Sequence, residues 1–554
     1  METKQPETDG VHEVQSQSVP ESGEDVSDES PEACDMEVFE EHIAEIVSRM
    51  APERPDIIQC VWASQALACF GRAFRSAGSK GRESFPTDHI QEFWSHSWHG
   101  NKWHKVLTAI YLCNGMMAAA VASLGALLLW TFVAWSHLPT EPLNWWREQP
   151  AASFWCTGAS IALYCWALFF LQRRRRVFLD VLCIDQQDTS LKAAGLVSMG
   201  AFLKCSDSML VLWDPSYTHR LWCVFELAAY LHSRPADKVK LIIRPTILGP
   251  VFVSFPVALF FFILVTGLIP TGQHAIMWPL MGLASYVGFY KSCSMLREYW
   301  RSVELLEKQV AGFTATKSLC WCCSTNHKDE SGGTMVCDRQ IVFRCIVAWF
   351  GSLENFETRV RTDVLECLVD QLSKQIFTYK QCAVAGLPWF WSSFDSSAVE
   401  AALRIPDYDL LFKPWDFSGT MRPIVRGLGW AVGFLPVLFF LTSRLAFLLR
   451  HQRESICAEI LVNSFILIAM IAVFFVLLVL EQVCWTFEGS FGEYNLAYHR
   501  LPGTGVFVGI LLSSAAVLFS CIGPRCCGRR SFIPASEQHT MSLEPDSRVP
   551  DRGV

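Results

Sequence analysis

The chain has 554 residues, long enough for several domains, and is 51% hydrophobic with a mean hydropathy of +0.25, on the apolar side for a soluble enzyme. Its formal net charge of −8 is unevenly placed: residues 1–40 hold 13 acidic residues against a single lysine, Lys4, which leaves the remainder near +4. No basic patch is broad enough for nucleic acid, so nucleic-acid partners are excluded.

In chain order, residues 1–45 are rich in Ser, Pro and Glu and poor in aromatics, and read as an acidic disordered tail that cannot bury enough surface to fold alone. The opening residues lack the basic-then-apolar pattern of a secretory leader, so the first apolar block is expected to serve as the insertion signal. Residues 46–105 read as a cytosolic segment with one candidate strand. The apolar excess then falls in seven blocks of about membrane-spanning length: Val106–Trp135, Ala151–Leu171, Ile247–Pro270, Ala275–Tyr290, Gly427–Leu449, Ile460–Leu480 and Gly503–Gly523. The fourth is short and carries Pro279, Gly282 and Ser285. The fifth is interrupted by Arg444, the main charge inside the blocks.

Lys102 and Lys105 precede the first block, and Arg173, Arg174, Arg175 and Arg176 follow the second. Cytoplasmic flanks carry the Lys/Arg excess, so the N-terminus and residues 172–245 are expected on the cytosolic side of a bilayer. The run also offers contacts to anionic lipid headgroups. Blocks three and four form a second hairpin, 246–290, and return the chain to a cytosolic helical and Cys-rich segment, 291–422. That segment opens with a basic amphipathic helix (Lys291–Gln309) and holds a second helix near Leu353–Phe377. Residues 423–524 supply two or three further spans and 525–554 a disordered tail. Seven crossings would put the tail outside, whereas Arg450, Arg453, Arg525, Arg529 and Arg530 look like inside flanks, so the total is six or seven. The 22 cysteines show no disulfide framework and are expected to be mostly free thiols.

Residues 172–245 alternate strand and helix: Val177–Ile184, Ser190–Lys204, Ser208–Trp213, Arg220–Leu231 and Val239–Ile243. Such alternation predicts a parallel, flavodoxin-like α/β sheet. The densest motif is Met209-Leu-Val-Leu-Trp-Asp-Pro-Ser-Tyr-Thr-His-Arg-Leu-Trp-Cys-Val-Phe-Glu-Leu-Ala228. A buried strand ends at Trp213, Asp214-Pro215 breaks it, and a helix starts after Arg220. Glu226 thus lies about one and a half turns into that helix, near the edge where open α/β sheets bind ligands.

Here the sequence resembles a Toll/interleukin-receptor (TIR) domain. Trp222, Cys223, Glu226 and Leu227 match the family's W-C-x-x-E-L pattern. Phe178-Leu-Asp-Val-Leu-Cys-Ile-Asp185 resembles the preceding strand and its loop, and Phe93-Trp-Ser-His-Ser-Trp98 the family's first strand. The family has one helix between its first two strands. This chain has about 70 residues there, with two apolar blocks, so either a membrane hairpin splits the domain or the match at Ser95–Trp98 is accidental. The pairing of such a domain with several spans is similar to that of membrane proteins of single-celled eukaryotes.

The resemblance implies a site of Ser95, Trp98, Asp180, Trp213, Tyr217, Arg220 and Trp222 around Glu226. In the family's enzymatic branch this glutamate is needed to cleave NAD, so Glu226 would stabilise positive charge on the ribose, with Trp98, Trp213 and Tyr217 stacking on rings. The plainer alternative pairs Glu226 with Arg220 or Arg176 on a helix surface and leaves the aromatics in the core. Cys320, Cys322, Cys323, His327 and Cys337 suffice in number for zinc, but C-x-C-C-x3-H-x9-C is no standard spacing. Lipidation or free thiols explain them as well. Cys526 and Cys527, among the tail arginines, suit palmitoylation.

Three functions follow as expectations. The first is a membrane-anchored signalling or interaction protein whose TIR-like domain self-associates. The second is an NAD-cleaving enzyme, with NAD as substrate. The third is a channel or transporter with a cytosolic regulatory domain.

Overall fold

A computed structural model describes residues 31–75, 84–136, 154–171, 173–268, 274–328, 332–374, 377–404, 417–489 and 500–521. Cys526 and Cys527, and the acidic tail up to residue 30, lie outside these. The described part of that tail is helical rather than disordered: α1 (Pro31–Ser48) packs on a later helix (Asp338–Phe350). Its apolar stripe buries Ala44 and Val47, while Glu37 meets Arg344 at 2.8 Å. Tertiary partners thus supply the burial that the segment lacks alone.

Six strands form one sheet in the order β2-β1-β4-β3-β5-β6, namely β1 (Gln59–Trp62), β2 (Phe85–Pro86), β3 (Ile90–His96), β4 (Arg176–Phe178), β5 (Ser206–Trp213) and β6 (Leu241–Pro245). The sheet is mixed, not purely parallel as expected, because β1 pairs antiparallel with β2 and β4. At four and two residues, β1 and β2 are too short to show a periodicity in sequence.

The four remaining strands are parallel. Glu92 lies opposite Val177 and Phe93 opposite Phe178, their rings stacked at 4.5 Å. The expected strand Val177–Ile184 stops at Phe178, and Asp180–Cys183 forms a helical turn instead, begun where Val181 N donates to Asp180 Oδ1 at 2.8 Å. The expected helix Ser190–Lys204 is two, Thr189–Val197 and Met199–Lys204, the first capped by Asp188. Helix α2 (Leu221–His232) follows β5.

The crossover from β3 to β4 is not a soluble helix. It is the antiparallel pair α3 (Lys102–Ser136) and α4 (Trp155–Phe170). Strand and strand meet across it, so the sheet is split by an apolar hairpin.

Five described helices are long and apolar enough to cross a membrane: Lys102–Val133, Leu248–Thr266, Thr420–Leu448, Ile456–Trp485 and Pro502–Ser520. The second expected block yields a helix of 16 residues, below that length. The fourth merges with the expected amphipathic helix into α5 (His274–Ala311). Leu124, Leu128, Phe132, Leu461, Ile468, Val476 and Val479 are all more than half exposed, a large apolar surface that asks for lipid or a partner.

One helix of the bundle sits inside the segment read as cytosolic. Helix α6 (Leu387–Arg404) packs on α3 and α4. Trp391 Nε1 donates to Ser123 Oγ and Trp130 Nε1 to Ser397 Oγ, both at 3.1 Å. Asp395 accepts from the first backbone N–H groups of α4, Cys156 at 2.9 Å and Thr157 at 2.8 Å, satisfying donors that a helix start leaves orphaned. Serines and this aspartate lower the segment's hydropathy, which hid it in sequence.

Arg444 is likewise not the main bundle charge. Glu481, fully buried, takes a two-pronged contact from Arg426 at 2.7 and 2.8 Å, and Trp430 Nε1 donates to it at 3.1 Å. Arg426 and Glu481 each fall one residue outside an expected apolar block yet inside a helix.

Close approach of α3 to the helix Leu248–Leu268 depends on Gly249, where an added Cβ would lie 2.3 Å from Thr108 N. Gly249→Val is expected to lower stability by about 1–3 kcal/mol, read as a lower Tm in detergent. Gly282→Ala, with nothing within 4 Å of its Cβ, should leave the Tm close to that of the parent.

Candidate functional site

Numbered among themselves, the parallel strands run 2-1-3-4, so successive crossovers leave β3 in opposite directions and open a switch point between β3 and β5. Ligands of open α/β sheets seat at such a point, at the strands' carboxyl ends. Alternation along β3 sends Ser95 and Ser97 to one face and His96 to the other.

On the first face, Ser95 Oγ donates to Glu226 Oε2 at 2.5 Å and lies 2.7 Å from the Tyr217 hydroxyl. Ser97 Oγ is 2.7 Å from Ser216 Oγ, and Ser216 N donates to Asp214 Oδ1 at 2.9 Å. Tyr217 stacks on Trp213 at 4.7 Å, and Trp213 Nε1 donates to Gln309 Oε1 at 3.2 Å. On the second face, His96 packs edge-on against Trp98 at 4.7 Å, while Trp98 Nε1 donates to Asp180 Oδ2 at 2.9 Å.

The structure therefore brings together Ser95, Tyr217, Glu226, Trp213, Trp98 and Asp180. Arg220 and Trp222 turn elsewhere: the Arg220 guanidinium lies 3.3 Å from His99 Nε2, and Trp222 Nε1 donates to Asp338 Oδ2 at 3.3 Å. Glu226 is accordingly not a surface partner of Arg220. Nor is it one of Arg176, whose guanidinium meets Thr87 and His89.

Sequence reasoning missed Lys105 and Asp214. Lys105, in the first turn of α3, reaches Asp214 Oδ2 at 3.2 Å with both side chains almost wholly buried, and its ammonium also donates to the Ser97 carbonyl. In the sequence Lys105 stands out only as a charge flanking the first apolar block. The Asp-Pro break after β5 was its available signal.

Part of Glu226 reaches solvent, but its carboxyl group is enclosed by protein. Burial raises its pKa to about 8, against a smaller lowering by the Ser95 hydrogen bond. Raised that far, the carboxyl group is mostly protonated at pH 7 and serves as a neutral hydrogen-bonding group. A carboxylate that stabilises a cationic transition state must be charged. Burial also holds His96 neutral, with a pKa near 4. Ser95 and Tyr217, each about 1% exposed, fill the space before Glu226. Around Glu226 itself, the site is a closed network of two hydroxyl groups and a neutral carboxyl group.

The cysteine segment also converges: ligand atoms of Cys322, Cys323, His327 and Cys337 all lie within 4.8 Å of one another, with Cys320 Sγ 2.8 Å from Cys322 Sγ. All described cysteines are free. Comparison of the chain with known protein families, characterised proteins and solved structures finds no match, so the site is read from its own geometry.

Folding raises the Glu226 pKa above its ordinary 4.5. The folded protein then holds a proton that the unfolded chain releases, so this contribution to stability is full below about 4.5 and is lost as pH rises to about 8. The Tm of the parent minus that of Glu226→Gln, which keeps a neutral side chain throughout, should fall across that window and level off above it.

Proposed function

We propose that the protein is a membrane-anchored signalling or interaction protein whose TIR-like domain is split by a membrane hairpin and presented at the cytosolic face. One observation carries this reading. The crossover that completes the parallel sheet is itself the apolar pair α3–α4, and the buried Lys105–Asp214 contact ties its first turn to the loop after β5. Such a domain has its strands assembled only beside the bundle, where confinement raises its effective concentration and favours self-association.

The second reading, NAD cleavage through Glu226, is favoured by a single feature, a strongly perturbed carboxyl group at a switch point. Its protonation and the closed network before it weigh against it. Intramembrane charges, the usual mark of a transport path, are engaged here in helix capping and the Arg426–Glu481 pair. NAD consumption by the detergent-solubilised protein, beside Glu226→Ala, separates the first two readings. No turnover in either, with cross-linking of the full chain into dimers or larger species in vesicles, is expected. Turnover that vanishes in the variant makes the protein an enzyme, and a monomer in vesicles removes self-association.

We further infer an even number of crossings. Trp391 of α6 is level with Ser123 of α3, and Ser397 with Trp130 farther along it, so the two helices run in the same direction through the bundle. Counting α5, the 18-residue α6 and the shorter α4 with the five long apolar helices gives eight crossings, one or two more than the six or seven expected from hydropathy. The C-terminal arginines, with Cys526 and Cys527, then face the cytosol as the positive-inside tendency requires. Epitope tags at the two termini should be cut by protease on the same side of sealed vesicles. Tags on opposite sides would show an odd count.

A further inference from the structure

We propose that Cys322, Cys323, His327 and Cys337 bind a zinc ion that fastens the loop 319–338 over the first turn of α2. The four residues each offer one ligand atom, and all four atoms lie within 4.8 Å of one another. Three thiolates and an imidazole are a standard tetrahedral set, and Zn–S and Zn–N bonds of about 2.3 and 2.0 Å place ligand atoms about 3.5–3.8 Å apart. Cys323 Sγ and Cys337 Sγ stand 3.7 Å apart, that edge length, and well beyond the roughly 2.05 Å of a disulfide.

The backbone is bent to bring these side chains together. Trp321–Ser324 makes one helical turn, and the His327 amide returns to the Cys322 carbonyl at 2.8 Å. That return places Asn326 and His327 at φ of 52° and 55°, a left-handed conformation that Asn and His adopt more readily than most residues. Met335 N then donates to the His327 carbonyl at 2.8 Å, and an antiparallel bridge pairs Lys328 with Thr334, three residues before Cys337. Cys322 and Cys337 are buried, out of reach of an acyl-transfer enzyme. Cys320, also buried, lies beside Cys322 but outside the four-atom group.

The position gives the ion a role. Just before the cluster, the Leu319 amide donates to the His219 carbonyl at 2.7 Å and its carbonyl accepts from Leu221 N at 3.3 Å. Just after it, Asp338 accepts from Trp222, and the Cys337 amide donates to Glu40 of α1 at 2.8 Å. Both flanks of the cluster thus grip the start of the helix that carries Glu226, and one flank also holds α1.

The test is elemental analysis of the full chain, purified in detergent through a non-metal affinity tag without chelator. We expect about one zinc per chain, its loss in Cys323→Ser/Cys337→Ser, and its retention in Cys320→Ser. Should the double variant fail to fold, Cys337→His keeps a fourth ligand. It should retain zinc and, after cobalt substitution, weaken the thiolate-to-cobalt charge-transfer band. Folded parent protein without zinc overturns the proposal. So does zinc that survives the double substitution, or a Cys323–Cys337 disulfide or thioester-linked acyl chain found by mass spectrometry.

Discussion

The parallel pairing of β3 with β4 and β5 is the constraint on which the rest of the molecule depends. It requires the chain to leave the sheet near Trp98, run out and back through two apolar helices, and return at Arg176 in register. A parallel connection always needs a crossover. In this protein the crossover is also the start of the helix bundle, so sheet and bundle share one structural element. The Lys105–Asp214 contact lies at that junction. Taking two charges out of water is costly, and the attraction between them offsets this only when the partners stay together. Whatever separates α3 from the loop after β5 leaves two uncompensated charges behind.

The same junction sets the character of the site. Ser95 and Ser97 come from the strand that precedes the hairpin, while Asp214, Ser216 and Tyr217 come from the loop that Lys105 secures. Glu226 arrives on α2, whose first turn is held from the other side by Leu319 and Asp338. The glutamate stays neutral because these elements close around it, not because of any charged neighbour of its own sign in first place.

The bundle repeats the principle that buried polar groups are paired. Asp395 caps α4, Glu481 holds Arg426 and Trp430, and Arg297, fully buried, reaches Glu459 at 2.5 Å and Asn463 at 2.9 Å. Each contact joins two different helices and, being directional where apolar packing is not, fixes their relative position and rotation in the bundle.

The sequence by itself determined what depends on local pattern. Unbroken hydropathy marked most bundle helices, β-rich runs between helical ones marked β5 and α2, and Trp222-Cys-Val-Phe-Glu226 marked the helix at the switch point. Tertiary structure alone decided which strands meet, because Ser95 and Glu226 stand 131 residues apart and no local signal links them. It decided that residues 31–48 are helical, since α1 gains its burial from a helix some 300 residues away. It made α6 a bundle helix despite serines and an aspartate, whose polar atoms find partners only there. Protonation of Glu226 and convergence of Cys322, Cys323, His327 and Cys337 belong to the same class. Desolvation and ligand distance are properties of enclosed space, and a chain encloses space only once it has folded.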